Sequence, residues 1–349
     1  METAIGLSGI RVSRLGLGCW AFGGGAYWGR QAQQDVDQVV RDALDRGVNF
    51  FDTARMYNDG ASEKSLGAAL RGVRHSAVIC SKVSPAKAYP AALRAECEAT
   101  LATLGSDYVD IYMLHWPINP LGLRHFTDDP AVLAQPPALE EALSTLRDLK
   151  AEGKIREIGV SNFGARQLEE ALGFCADIVA DELPYNLVSR AIEAEIVPAC
   201  RQNNVALITS MALQQGLLAG RYHRPQDVPP HQAHSRHFAH ERGQGTSRHG
   251  EEGVEDELFS LVALVRQLAA ELDMTVAQVS LAWVLGKEWV GVALAGARNT
   301  SQLRENIAAA DRALPDAAVA RLDGAGEGIL RRLGGSPDYY EHSSKSRIY

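Results

Sequence analysis

Residues 36–52 read Val36-Asp37-Gln38-Val39-Val40-Arg41-Asp42-Ala43-Leu44-Asp45-Arg46-Gly47-Val48-Asn49-Phe50-Phe51-Asp52, and the reading of this stretch decides the fold. Val36, Val39, Val40, Ala43 and Leu44 fall at i, i+3, i+4, i+7 and i+8, one face of a helix, and Gly47 stands where a left-handed closing residue is favoured. Val48 to Asp52 then forms a short apolar run of strand character. A one-sided helix feeding a short strand is half of a parallel βα unit.

Working outward, the same alternation recurs. Short runs at Leu15 to Cys19, Val48 to Asp52, Ala77 to Ser81, Tyr108 to Leu114, Ile155 to Val160, Ile178 to Leu183, Val205 to Ser210 and Val290 to Leu294 make eight, the number a closed barrel needs. Between them, Leu93, Cys97, Leu101 and Leu104 precede Gly105, and Leu139, Ala142, Leu143, Leu146 and Leu149 precede Gly153, both as helices with a glycine stop. Thr275-Val276-Ala277-Gln278 reads as a capping box at a helix start. The expected fold is therefore α/β: a single (β/α)8 TIM barrel spanning 1–349, with a short turn-rich N-terminal plug. Residues 223–255, with Pro225, Pro229 and Pro230 and little aliphatic content, break the rhythm and are expected to form a long, flexible, lid-like loop after strand seven.

Composition narrows the function. The 349 residues are 46% hydrophobic and 22% charged, as in a folded globular chain, and the net charge of −8 with no basic run argues against nucleic-acid binding. No stretch approaches 18 apolar residues and the start lacks a basic and then apolar leader, so neither a membrane span nor a signal peptide is expected. Cys19, Cys80, Cys97, Cys175 and Cys200 are scattered and odd in number, which points to free thiols in a cytoplasmic protein. His231, His234, His237 and His240 recur every third residue without cysteine or acidic partners at regular spacing, so no metal is expected.

In a βα barrel the active site lies at the carboxyl ends of the strands. Asp52 ends the second run, Lys82 the third and His115 the fourth, while Tyr57 follows Asp52 by five residues. A free tyrosine has a pKa near 10, so proton donation near neutral pH needs a cation that favours phenolate; Lys82, held by Asp52, fits that role. His115 can hydrogen-bond and orient a carbonyl oxygen, leaving its carbon open to a hydride that only a cofactor can bring. No G-x-G-x-x-G follows a predicted strand, but Gly296-Ala297-Arg298-Asn299-Thr300-Ser301-Gln302 opens a helix after run eight, where amides and dipole favour phosphate. Trp20, Tyr27, Trp28 and Trp116 lie just beyond strand ends and, with Tyr57 and His115, are candidates for the wall of a substrate pocket.

The stretches Asn49-Phe50-Phe51-Asp52-Thr53-Ala54-Arg55-Met56-Tyr57 and Ser62-Glu63-Lys64-Ser65-Leu66-Gly67 strongly resemble the aldo-keto reductases, in a bacterial-type branch related to potassium-channel beta subunits. Asp110 to Pro117, Gly153 to Phe163, Pro184 to Leu187, Gln215 to Gly220 and Gly296 to Asn306 continue the resemblance in order. It implies NADP(H) bound in extended form, Tyr57 as general acid, Lys82 and Asp52 as the pair that lowers its pKa, and His115 as the carbonyl-orienting residue. Ser161 and Asn162 match carboxamide contacts, and Gly296, Ala297, Arg298, Gln302, Glu305 and Asn306 match the adenosine-phosphate segment; Cys19, Trp20, Asp52, Gln215, Gly216 and Leu218 complete the implied cofactor site. Two positions depart from the pattern: Glu182 stands where glutamine is usual, and Ser210 where an aromatic ring commonly stacks on nicotinamide. An ionised Glu182 accepts hydrogen bonds but cannot donate one.

The leading reading is NADP(H)-dependent interconversion of a small-molecule carbonyl (aldehyde, ketone or sugar-like) and its alcohol, with no nucleic-acid or membrane partner and a possible homo-oligomer. The alternatives are a cofactor-sensing regulatory subunit with little turnover, and a Schiff-base aldolase with Lys82 as nucleophile.

Overall fold

The computed structural model describes residues 2–349; Met1, the first residue of the expected domain, lies outside the described residues. Strands β1 (Glu2–Ala4) and β2 (Arg11–Ser13) pair antiparallel as a hairpin. They are followed by β3 (Leu15–Gly18), β4 (Phe50–Asp52), β5 (Val78–Val83), β6 (Val109–Leu114), β7 (Ile155–Ser161), β8 (Ile178–Pro184), β9 (Ala206–Ser210) and β10 (Val290–Gly296). These eight close into a parallel barrel in which β10 returns to β3. Each of the eight runs read from the sequence is one barrel strand.

Two apolar layers hold the barrel. Outside, the helices Gln33–Asp45, Pro90–Leu104 and Leu139–Ala151 bury the faces their spacing foretells: Val36, Val39, Val40 and Ala43; Leu93, Cys97, Leu101 and Leu104; Ala142, Leu143, Leu146 and Leu149. Gly47, Gly105 and Gly153 all take positive φ at the helix ends. Each buried leucine contributes about 1.5–3 kcal/mol relative to exposure. Thr275 accepts from the Gln278 amide at 3.2 Å and Gln278 accepts from the Thr275 amide at 3.0 Å, the capping box the sequence indicated.

Inside, Phe50, Cys80, Ile111, Met113, Ala180, Ile208, Val292 and Leu294 form a second cluster, closed below by Ile5, Ile10 and Val12 of the hairpin. The hairpin is thus the N-terminal plug. It fits because Gly6, at φ +50°, would bring a Cβ within 2.6 Å of the Val179 carbonyl oxygen.

Residues 223–255 hold three short helical turns, Pro225–Asp227, Pro230–Gln232 and His240–Gly243, and pack across the mouth through the buried apolar residues Val228, Ala233, Phe238 and Val254 together with polar anchors. Arg236 pairs with Glu251 at 2.9 Å and donates to the Leu333 carbonyl, while buried His237 hydrogen-bonds the Val188 carbonyl at 2.9 Å. The four histidines diverge: His231 edges onto Tyr27, His234 tilts over Tyr340, His237 stacks on Tyr339 and His240 faces Glu241. The tail after the helix Asp316–Leu333 closes the other side, where the buried pair Arg347–Asp338 (2.7 Å) fixes it and Arg347 lies 4.0 Å from the centre of the Trp116 ring. Gly164 leaves room for the backbone of Tyr349, which a Cβ would meet at 2.1 Å.

Candidate active site

The site is the inner face of the barrel carried one step further. Strand side chains alternate with period two, so above the inward apolar residues Phe50, Cys80, Met113, Ala180, Ile208 and Leu294 come Asp52, Lys82, His115, Glu182, Ser210 and Gly296. Register brings them level: Asp52 pairs with Gly18 and Cys80, Ser161 with Glu182, and Gly296 with Gly18. Where the apolar plug ends, a polar layer begins.

Its centre is a buried charge cluster. The Lys82 ammonium, wholly shielded from solvent, donates to Asp52 Oδ1 and to the Thr53 carbonyl at 3.2 Å, and stands 3.1 Å from Glu182 Oε2. Tyr57 lies against it, with the ammonium 5.3 Å from the ring centre, and the Tyr57 and His115 rings meet edge to face at 5.6 Å. Burial pushes the Tyr57 phenol above its ordinary value; Lys82 pulls it down, while Asp52 and Glu182 push it further up. The pull expected of Lys82 is therefore present, but burial outweighs it and Asp52 works against it. Burial, helped by the Lys82 charge, holds His115 well below the usual histidine range, so its imidazole is neutral at neutral pH. Burial opposes the charge on Lys82, yet Asp52 and Glu182 together keep it well above the usual lysine value.

These residues form the floor of an elongated cavity of about 1090 Å³. Trp20, Asp52, Ser161, Asn162, Glu182, Ser210, Gln215, Gly216, Gly296, Ala297, Arg298, Gln302, Glu305 and Asn306 all line it, as do Tyr27, Trp28, Tyr57, His115 and Trp116. Cys19 and Leu218 do not: both side chains are fully buried in the outer core, because each faces the helices rather than the mouth. Lys82 acts from beneath, covered by Tyr57 and Asp52. One wall is a run of aromatic rings, Trp28 edge-on to Trp20 (5.2 Å) and Trp20 stacked on Tyr57 (5.7 Å), tied to the loop after β9 where Tyr27 donates to Gln215 at 2.6 Å.

At the far end Asn299 caps the helix Thr300–Ala310. Arg298 is more engaged than a lone surface cation: Nε donates to Gln31 Oε1 at 2.8 Å, and the two Nη atoms to the carbonyls of Trp28 (2.7 Å) and Arg30 (2.6 Å). Three of its five N–H donors thereby hold residues 28–31 over the cavity edge. The sequence motifs missed several lining residues, among them His125, Met211, Arg248, Tyr340 and Arg347. They come from a short helix (Pro120–Phe126), from loops and from the tail, where no periodicity marks them.

The chain matches the model of the aldo/keto reductase family over residues 14–327. It belongs to that family. An NADH-specific methylglyoxal reductase of Escherichia coli is 31% identical, over 94% of this chain and 98% of the relative. A probable voltage-gated potassium channel subunit beta of Arabidopsis thaliana is 27% identical over 88% and 90%. The aldo/keto reductase of Klebsiella pneumoniae solved with NADP and acetate superposes with a TM-score of 0.68 at 30% identity, covering 92% of this chain and 94% of that one. The aldo/keto reductase barrel makes this chain an oxidoreductase.

The cavity suits a nicotinamide dinucleotide. It joins the polar end at Ser161, Asn162 and Glu182 to a capped helix start beside Arg298, and the buried Glu182 Oε2 finds no hydrogen-bond partner within the protein. Such a site needs no Gly-rich Rossmann turn, since one helix terminus and one arginine supply the anion contacts.

Proposed function

We propose that this protein reduces a small carbonyl compound to its alcohol with NADP(H). The observation that carries the reading is the convergence of Tyr57 and His115 over the Lys82–Asp52 pair at one end of a cavity whose other end is Arg298 and a helix N-terminus. A bound nicotinamide supplies the hydride. Neutral His115 hydrogen-bonds the carbonyl oxygen and turns it toward Tyr57, whose hydroxyl gives up its proton as negative charge develops on that oxygen. Lys82 favours the resulting phenolate, and Asp52 keeps the ammonium in place. Ser161 and Asn162 would hold the carboxamide, and Arg298, Gln302 and Asn306 the adenosine phosphate.

The pocket favours a compact substrate rich in oxygen: Trp28 Nε1, His115 Nδ1 and Arg347 Nη1 are buried without protein partners beside rings that exclude water. The E. coli relative's name makes methylglyoxal the probe to use first. An aldolase role fits poorly, because a Schiff base needs a neutral amine and Lys82 is locked as a cation. Five buried free cysteines support a reducing, cytoplasmic setting.

The test is calorimetric titration with NADPH and NADH, followed by methylglyoxal turnover. Tight NADPH binding with turnover is the expected result. NADH preference would move the cofactor assignment to NAD(H), and tight binding without turnover of any carbonyl would favour a cofactor-sensing subunit.

A further inference from the structure

The charge cluster contains one cation and two carboxyl groups, all buried, with only the two carboxyls touching the cavity: Lys82, Asp52 and Glu182 are 0%, 4% and 3% exposed. Carboxylate oxygens of Asp52 and Glu182, with Cys80 Sγ, lie within 4.8 Å of one another. With both carboxyls ionised the cluster would carry a net negative charge in a buried site, which low dielectric strongly disfavours. Asp52 has the better claim on the ammonium, since it forms both the ion pair and the hydrogen bond. Glu182 Oε2 stands 3.1 Å from Lys82 without the alignment of a hydrogen bond. Among the described residues Lys82 is the one cation paired with either carboxyl group. The other titratable groups close to it are Tyr57, Cys80 of β5 and, on the opposite face of β8, its neighbour Asp181, and burial pushes all three toward their neutral forms.

We propose that Glu182 carries a proton in the resting protein, as a neutral carboxylic acid turned toward Asp52, and that losing this proton to solvent converts the site from one that favours carbonyl reduction to one that favours the oxidised cofactor. The assignment to a nicotinamide rests on the reading above; the protonation state does not. As an acid, Glu182 offers an O–H donor at the cavity floor and leaves the Lys82 charge undivided for Tyr57. As an anion it would raise the phenol further, making Tyr57 a poorer donor, and would attract a cationic nicotinamide over a neutral one. Burial pushes Glu182 up to about 8, with the Asp52 charge adding to the rise and Lys82 opposing it, so the change falls within a range the protein can be assayed in.

The direct test is infrared difference spectroscopy of the cofactor-free protein against Glu182→Gln, with 13C-glutamate labelling to separate glutamate from the buried aspartates. A protonated-glutamate carbonyl band at pH 6.5, lost with a midpoint near 8 and absent from E182Q, is expected. In parallel, the ratio of NADPH to NADP+ affinity should fall roughly tenfold between pH 6.5 and 9.5 in the wild type and stay level in E182Q. Absence of the band in the folded wild type, or its persistence in E182Q, overturns the proposal. Should the protein bind neither nucleotide while the band titrates as expected, the functional reading fails and the proton assignment stands.

Discussion

The two ends of the cavity are built on opposite terms. At the end proposed for catalysis, Asp52, Lys82, His115 and Glu182 rise from four strands of a closed barrel, all buried, in positions set by backbone register. At the end proposed for the adenosine phosphate, Arg298 and Gln302 sit on a loop and a helix start, half-exposed or exposed, and the guanidinium is satisfied by carbonyls of residues 28–31. Charge is scarce and expensive at the first end, so one proton or one ammonium changes the whole site. At the second end water and neighbouring dipoles share the load, so single changes act weakly.

Substitutions at the two ends put this contrast to the test. The largest effect is expected of Tyr57→Phe, which removes the proton donor and little volume: kcat should fall about 10²- to 10⁴-fold with NADPH affinity retained in calorimetry. Near wild-type turnover would show that the phenol is not the donor and collapse the contrast at its buried end. Next, Lys82→Met leaves Asp52 buried without its cation and should lower stability by about 3–5 kcal/mol, read as an earlier denaturant midpoint, together with a large drop in kcat. An unchanged midpoint would mean that the cluster neutralises itself without the ammonium. At the open end, Arg298→Ala should weaken NADPH binding roughly tenfold, about 1.4 kcal/mol, and NADH binding less, with kcat intact. An equal loss for both nucleotides would assign Arg298 to holding residues 28–31 rather than to the phosphate. Smallest of all, Arg304→Ala removes an ion pair between the exposed arginine of the helix Thr300–Ala310 and Asp42 of the helix Gln33–Asp45, and should leave the denaturant midpoint almost unmoved and cofactor binding as it was.

Much of this was legible in the sequence, for a physical reason. A parallel barrel buries each strand on both sides, so all eight announce themselves as apolar runs, and the period of two that packs Phe50, Cys80 and Met113 inward also aims Asp52, Lys82 and His115 at the mouth. What the sequence could not show is proximity across the ring. Glu182 reads as a substitution on one strand, and only closure of the barrel sets it against Lys82, a hundred positions earlier, and makes a charge count possible. The direction of the Tyr57 shift was hidden likewise, because burial is a property of the assembled site. Arg347 and Tyr340 escaped because irregular backbone reaches the cavity by turns and polar anchors, which leave no repeat to read.

The placement of the five tryptophans has an optical consequence. Trp20, Trp28 and Trp116 face the cavity, whereas Trp283 and Trp289 pack around Tyr185 in the outer layer. A reduced nicotinamide seated beside Tyr57 would drain excitation from the first group and leave the second emitting, so the intact protein carries both a sensor and its internal reference. Replacing Trp20, Trp28 and Trp116 together by phenylalanine should leave an emission signal that barely responds to the nucleotide, turning an unlabelled protein into its own control.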